Sequence, residues 1–242
     1  DKLSFAVAEG TIVALIGPNG AGKTTALNLI SGVLQPNGGR IALKGTDIAG
    51  WAPHAIALQG MSRTYQNLQM FLGMTVLETV MVGAHGKGRS KWLHALLRLP
   101  NVVVEEQALE AAARRALDRA GVPASYFERI AVDLPYGWQR RVEIARAIAA
   151  EPAMVLLDEP AAGLNPRESE QMARLIGELR DGGMTVLLVE HDMNLVMGIS
   201  DRVVVMNFGR LLSVGTPHEV QRDRAVIEAY LGSEQEPADA DA

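Results

Sequence analysis

A mostly parallel α/β sheet carrying a helical insertion is the fold class that this sequence predicts, on three observations. Apolar runs of strand length recur along the chain: TIVALIG (residues 11–17), AMVLLD (153–158), TVLLVE (185–190) and RVVVMN (202–207). They are near-continuous rather than alternating, the pattern of strands covered on both faces. Helical segments separate the later runs, and strand-helix alternation builds parallel sheets. From about Phe71 to Ala150 the strand signal gives way to helical periodicity, as in VVVEEQALEAAARRALDRAG, so a helical subdomain is expected to interrupt the core.

The elements follow in order. After the first strand a glycine-rich loop leads into a short helix closed by LNLISG (27–32), with glycine just past its end. The segment NPRESEQMARLIGELRDGG has Asn165 to cap a helix, Pro166 for its first position and Gly182 beyond its end. The expected division is a core of residues 1–65 and 151–232, a helical subdomain of residues 66–150, and a tail of residues 233–242. That tail, SEQEPADADA, is acidic and has no large apolar residue, a composition expected to be disordered.

Composition bounds the function. With 242 residues, 48% hydrophobic and 21% charged, the chain can bury a substantial core. It has no cysteine, which excludes disulfides and thiolate metal sites. A formal charge of -5 argues against a nucleic-acid partner, whose binding relies on excess Lys and Arg. No apolar run approaches the roughly 18 residues of a membrane span, and no charged-then-apolar leader opens the chain, so it reads as soluble by itself. It begins at Asp1 almost directly in a strand-like segment, and further residues are expected upstream.

GPNGAGKT (17–24) fits G-x-x-x-x-G-K-[ST], follows a strand and opens a helix, the context the pattern requires. Its glycines let backbone N–H groups curl around an anion at a helix N-terminus, so Gly17, Pro18, Asn19, Gly20, Ala21, Gly22, Lys23, Thr24 and Thr25 are expected to cradle phosphates. Lys23 reaches the β- and γ-phosphates, and the Thr24 hydroxyl binds Mg²⁺. Two carboxylates, Asp158 and Glu159, end another apolar strand. As strand neighbours they are expected to face opposite sides, Asp158 holding the metal through water and Glu159 acting as general base on an attacking water.

Three further pieces accompany these: Gln66 in SRTYQNLQMF, the stretch LPYGWQRRVEIARAIA before the Asp158 strand, and His191 in LLVEHDM. In that order the five motifs resemble the nucleotide-binding domain of ABC transporters, over residues 3–232. The resemblance implies a RecA-like P-loop NTPase core, a small antiparallel β-subdomain, an inserted helical signature subdomain, and ATP with Mg²⁺ as ligands. It implies that Gln66 senses the metal and the attacking water, that His191 contacts the γ-phosphate and holds Glu159, and that Gly163, Leu164 and Asn165 form a loop crossing a dimer interface. LPYGW stands where the family commonly has LSGGQ, so Pro135, Tyr136 and Gly137 are expected to meet ATP bound on a second subunit. Pro135 lacks the family's serine hydroxyl, Tyr136 replaces a glycine and Trp138 replaces a glutamine, which puts one hydrogen bond to phosphate in question. His54, His85, His94 and His218 lack metal-ligand spacing and are assigned to the surface.

LPYGxQRRxEIARA, DEPAAGLNP and the ending VIEAYLG are similar to one of the two ATPase subunits of bacterial branched-chain amino-acid importers. That resemblance implies a second ATP-binding subunit, as a heterodimer in preference to a homodimer. It also implies two integral-membrane permease subunits, an indirect link to a periplasmic solute-binding protein, and a peripheral position on the cytoplasmic face of the inner membrane. GAHGKGRSKWLHALLRLP (83–100), basic and apolar together, is expected to dock a membrane subunit. The aromatic on which the family stacks adenine is missing from the residues before Gly17, where Phe5 looks like a core position. Other readings stay open: a soluble ABC-type ATPase in DNA repair or translation, an ABC subunit for a lipid or amide, and a P-loop small-molecule kinase.

Overall fold

A computed structural model describes residues 3–66, 70–85 and 100–233, the side chains of 100–103 and 231–233 excepted. Strand β1 (Ile12–Ile16) leads into α1 (Lys23–Ile30), and β2 (Ala42–Leu43) and β3 (Thr46–Asp47) follow. After α2 (Pro53–Leu58) and β4 (Met61–Arg63) the described residues form the α-helices α3 (Val76–Ala84), α4 (Pro100–Arg119) and α5 (Tyr136–Ile148), with short 3-10 turns between the last two. The remainder is β5 (Met154–Asp158), α6 (Pro166–Asp181), β6 (Thr185–Val189), α7 (Met193–Ile199), β7 (Arg202–Asn207), β8 (Arg210–Gly215), α8 (Pro217–Arg222) and α9 (Arg224–Ser233).

The main sheet has the order β4-β5-β6-β1-β7-β8, parallel throughout except where β8 turns back antiparallel on β7. β2 and β3 make a separate antiparallel pair, the small second sheet expected. Every residue of β1, β5 and β6 is buried, as continuous apolar runs require. Their side chains alternate between layers. Val155, Leu157, Val186 and Leu188 pack under α3 to α6, whereas Leu156, Leu187, Val13 and Leu15 pack with Leu27 of α1 and Ile56 of α2 on the other face. Ala14, Ile16, Val203 and Val205 meet Val196, Val220 and Val226 of the C-terminal helices. Each fully buried Val, Leu or Ile contributes about 1.5–3 kcal/mol.

Caps fix where helices start. Asn165 accepts the N–H of Glu168 at 3.0 Å, Glu168 accepts that of Asn165 at 3.0 Å, and Pro166 takes the first helical position of α6. Its buried residues, Met172, Leu175, Ile176 and Leu179, lie on one stripe. Thr75 and Glu78 make the same reciprocal cap on α3. Ala131 N–H donates to Met74 O at 3.0 Å and Val76 N–H to Arg129 O at 2.9 Å, which ties α3 to the approach to α5. The basic and apolar segment lies outside the described residues over 86–99, as does the tail over 234–242.

Candidate functional site

Strands β4, β5, β6 and β1 run parallel, so the residues that follow them gather at one edge of the sheet, where open α/β sheets bind ligands. After β1 the loop turns into α1 through Gly22, left-handed at φ 98°, and no side chain caps the helix. Its first N–H groups are therefore left for an anion. Lys23 is only 6% exposed, with Nζ donating to Gly17 O at 2.7 Å and Pro18 O at 3.1 Å. Burial lowers its pKa, and the nearby charges of Glu159 and Asp158 oppose that fall. Asn19, Gly20, Thr24 and Thr25 are exposed. The turn after β7 braces the loop, Gly209 N–H donating to Ala21 O at 2.8 Å.

Asp158 and Glu159 have different partners, for a reason the strand alone does not supply. Glu159 sits past the end of β5 in the left-handed region at φ 49°, its N–H still bonded to Val189 O at 2.8 Å. Such a backbone costs a non-glycine residue about 1–3 kcal/mol and persists only where its surroundings hold it. The surroundings are Gln66, whose Nε2 donates to Glu159 Oε2 at 3.0 Å, and His191, whose Nε2 is 2.9 Å from Oε1. With Glu159 ionised, that His191 nitrogen carries the proton. Gln66, Glu159 and His191, far apart in sequence, thus meet on one carboxylate.

Asp158 is buried and bonded through Oδ2 to Arg63 Nη2 at 2.9 Å. Arg63 in turn donates to Asn28 Oδ1 and Ser31 Oγ, both at 2.8 Å, so the carboxylate is anchored to α1. No hydrogen bond or ion pair among the described residues takes Oδ1. Among the described residues no three His, Cys, Asp or Glu side chains gather as a metal cage. A set of one carboxylate, one hydroxyl and one amide is instead what suits Mg²⁺ completing its shell with water and phosphate oxygens.

Sequence reasoning missed Arg63, and it missed Glu190. The Glu190 side chain is buried, Oε1 accepting Ala161 N–H at 2.7 Å and Oε2 accepting His191 N–H at 3.0 Å. It clasps the loop after Glu159 to the loop bearing His191. Burial raises its pKa, with N–H groups of Ala161, His191 and Asp192 opposing. The available signal was a carboxylate at the end of the buried run TVLLVE, which has to find donors.

The signature stretch forms the start of α5, with Pro135 at its N-cap. Trp138 and Gln139 N–H groups both return to Pro135 O, at 2.9 and 3.1 Å, so Tyr136 and Gly137 lead the helix. Gln139 Nε2 supports the turn from behind through Leu134 O at 2.7 Å and Val132 O at 3.0 Å. Trp138 packs edge-on to Tyr126, ring centroids 5.4 Å apart, in the helical layer. Tyr136 is exposed and lies beside Gly163. Among the described residues no hydrogen bond or ion pair joins Pro135, Tyr136 or Gly137 to the phosphate loop, which begins at the end of another strand. A hollow of about 220 Å³ lined by Glu9, Lys44, Arg119 and Glu151 lies at the opposite end of the sheet, near the start of β6.

A phosphate loop on the central strand, a clasped carboxylate beside it and a detached second turn belong to one class of protein. The family profile described as ABC transporter matches residues 1–162, and that described as branched-chain amino acid ATP-binding cassette transporter matches residues 210–236. The chain belongs to the ABC transporter family, as an ATP-binding domain whose ATP hydrolysis is coupled to transport.

Among its relatives, the high-affinity branched-chain amino acid transport ATP-binding protein LivG of Salmonella typhimurium is 44% identical, over 96% of this chain and 91% of its own. BraF of Pseudomonas aeruginosa, with the same description, is 43% identical over 95% and 90%. A nucleotide-free ATP-binding cassette of an ABC transporter superposes with a TM-score of 0.81 at 32% identity, covering 95% of this chain and 91% of that one.

Proposed function

We propose that the chain is the ATP-hydrolysing subunit of an importer for branched-chain amino acids. For the solute, the support is its 44% identity to an ATP-binding protein described by that transport. For the chemistry, one observation carries the reading: Glu159 is gripped at both oxygens, by Gln66 and by His191.

Gly17, Pro18, Asn19, Gly20, Ala21, Gly22, Lys23, Thr24 and Thr25 hold the phosphates, backbone N–H groups and the Lys23 ammonium facing the charge. Thr24 and Gln66 would offer oxygen ligands to Mg²⁺ and Asp158 would hold it through water, and the ion would supply charge neutralisation at the phosphates when bound. Glu159 takes the proton of the attacking water. His191 and Gln66 hold its carboxylate in line, and His191 turns toward the terminal phosphate. Tyr136 and Gly137 present helix N-terminal N–H groups to ATP on a second ATP-binding subunit, with Pro135 at the cap shaping the turn and contacting the nucleotide without a donor, and Gly163 to Asn165 crossing between the two. Residues 1–65 and 151–232 act as the core and 66–150 as the helical subdomain that carries the signature.

That second subunit is a different chain, because the Pro135 signature forgoes a hydroxyl that a partner of another sequence supplies at the other site. Two membrane permease subunits receive the closing motion, a periplasmic binding protein delivers the solute, and the chain sits peripherally on the cytoplasmic face of the membrane. Among the described residues no helix is long and apolar enough to cross a bilayer. Co-assembly with adjacent membrane subunits in vesicles and uptake of labelled leucine, isoleucine and valine tests the reading. ATP-dependent uptake of some other solute class, with none of these three, refutes it.

A further inference from the structure

Two charged residues of α5, Arg140 and Glu143, are each 2% exposed and belong to no part of the site assigned so far. They pair with each other, Arg140 Nη1 to Glu143 Oε2 at 3.1 Å. They also hold the chain just beyond the short edge strand β4. Arg140 Nη2 donates to Gln66 O at 2.9 Å, Nη1 to Tyr65 O at 3.5 Å, and Glu143 Oε1 accepts the Tyr65 N–H at 3.4 Å. On its other side the Arg140 guanidinium lies 5.2 Å from the ring centre of Tyr136, and that ring rests against Gly163.

A buried ion pair is a poor device for stability, since apolar side chains of similar volume usually do as well. Burial raises the pKa of Glu143 in spite of the adjacent arginine. What apolar side chains cannot do is satisfy two carbonyls and an N–H of a segment reaching past a three-residue strand. Arginine presents a planar fork that grips two acceptors at once, which lysine does not.

We propose that Arg140, locked by Glu143, is a positioning residue: it sets the backbone from which Gln66 reaches Glu159, and through Tyr136 it ties that placement to the signature turn and the Gly163 loop. The inference rests on the role given to Gln66 above. Movement of the signature helix would thereby displace Gln66 from its 3.0 Å contact with Glu159 within the same subunit.

The test is a double-mutant cycle on ATP hydrolysis by the full chain in its assembled transporter, using Arg140→Lys, Gln66→Ala and both together. Arg140→Lys is expected to lower kcat by about 10- to 100-fold, the scale of a small misplacement of reacting groups. KM for ATP is expected to stay within about threefold, because uniform binding by the phosphate loop is untouched. The double variant is expected to be no slower than Gln66→Ala alone. Full activity of Arg140→Lys beside a slow Gln66→Ala overturns this inference alone, and so do fully additive losses. Full activity of Gln66→Ala overturns the assignment of Gln66 and the inference with it. Should Arg140→Lys lose its cooperative unfolding transition, Glu143→Gln, which keeps shape and frees Arg140 from its counter-ion, replaces it in the same cycle. Additivity there also overturns the proposal.

Discussion

Glu159 Oε1 and His191 Nε2 lie 2.9 Å apart, a contact that joins the ends of the neighbouring parallel strands β5 and β6. Gln66 takes the other oxygen of the same carboxylate, so its direction is fixed from two sides.

Glu159→Gln keeps the shape of this arrangement and removes the base. Steady-state phosphate release is expected to fall by about 10²- to 10⁴-fold, the usual contribution of a positioned proton acceptor. ATP-bound dimer is expected to accumulate, visible as a faster-eluting species in size-exclusion chromatography with ATP. Turnover at the wild-type rate would refute the assignment.

Gly17→Ala tests the cradle. An added methyl carbon would stand 2.1 Å from Met206 O, and the residue has φ 154°. Overpacking of this kind costs about 1–3 kcal/mol, and here it also displaces the loop that holds phosphate. The urea midpoint and ATP affinity are both expected to drop. Gly38→Ala is the control: a methyl there meets nothing within 4 Å, and stability is expected within about 0.5 kcal/mol of wild type.

Gly137→Asp separates the two halves of the ATP site. Its side chain would start 2.9 Å from Glu168 Oε1, carboxylate against carboxylate at the head of two helices. The isolated chain is expected to bind ATP with unchanged affinity, since the phosphate loop is elsewhere, while hydrolysis by the assembled transporter falls by about 10-fold or more, on the scale of lost oriented donors. An equal loss of binding by the isolated chain would contradict the division.

Glu190→Gln addresses pH. Burial raises the folded-state pKa of Glu190 above its unfolded value, so its contribution to stability is fully present below the unfolded value and is lost as pH rises through the folded one. Glutamine does not titrate. The stability of wild type relative to the variant is therefore expected to decline across that window, from the ordinary carboxylate range upward, in urea unfolding at a series of pH values. A constant difference would show that Glu190 is not shifted.

Local signals in the sequence carried much of the fold. The apolar runs at 11–17, 153–158, 185–190 and 202–207 contain β1, β5, β6 and β7, because full burial demands unbroken hydrophobicity. Asn165, Pro166 and Gly182 bound α6 as their chemistry dictates. Strand β4 was not legible: its three residues, Met61, Ser62 and Arg63, are too few to show a period, and it exists through pairing with β5.

Within the candidate site the same boundary holds. The phosphate loop is a local pattern, whereas Arg63, Arg140, Glu143 and Glu190 gain meaning only from partners such as Asp158, Tyr65 and Ala161, which the fold brings from distant parts of the chain.

Strand β1 has β6 along one edge and β7 along the other, and the turn at Gly209 props the loop that grows from it. A mould rooted this deeply is set before any fuel arrives and has little slack to yield afterwards. Amide protons in β1, buried and paired on both edges, are expected to exchange only when the whole mould comes apart, and more slowly still once it is filled.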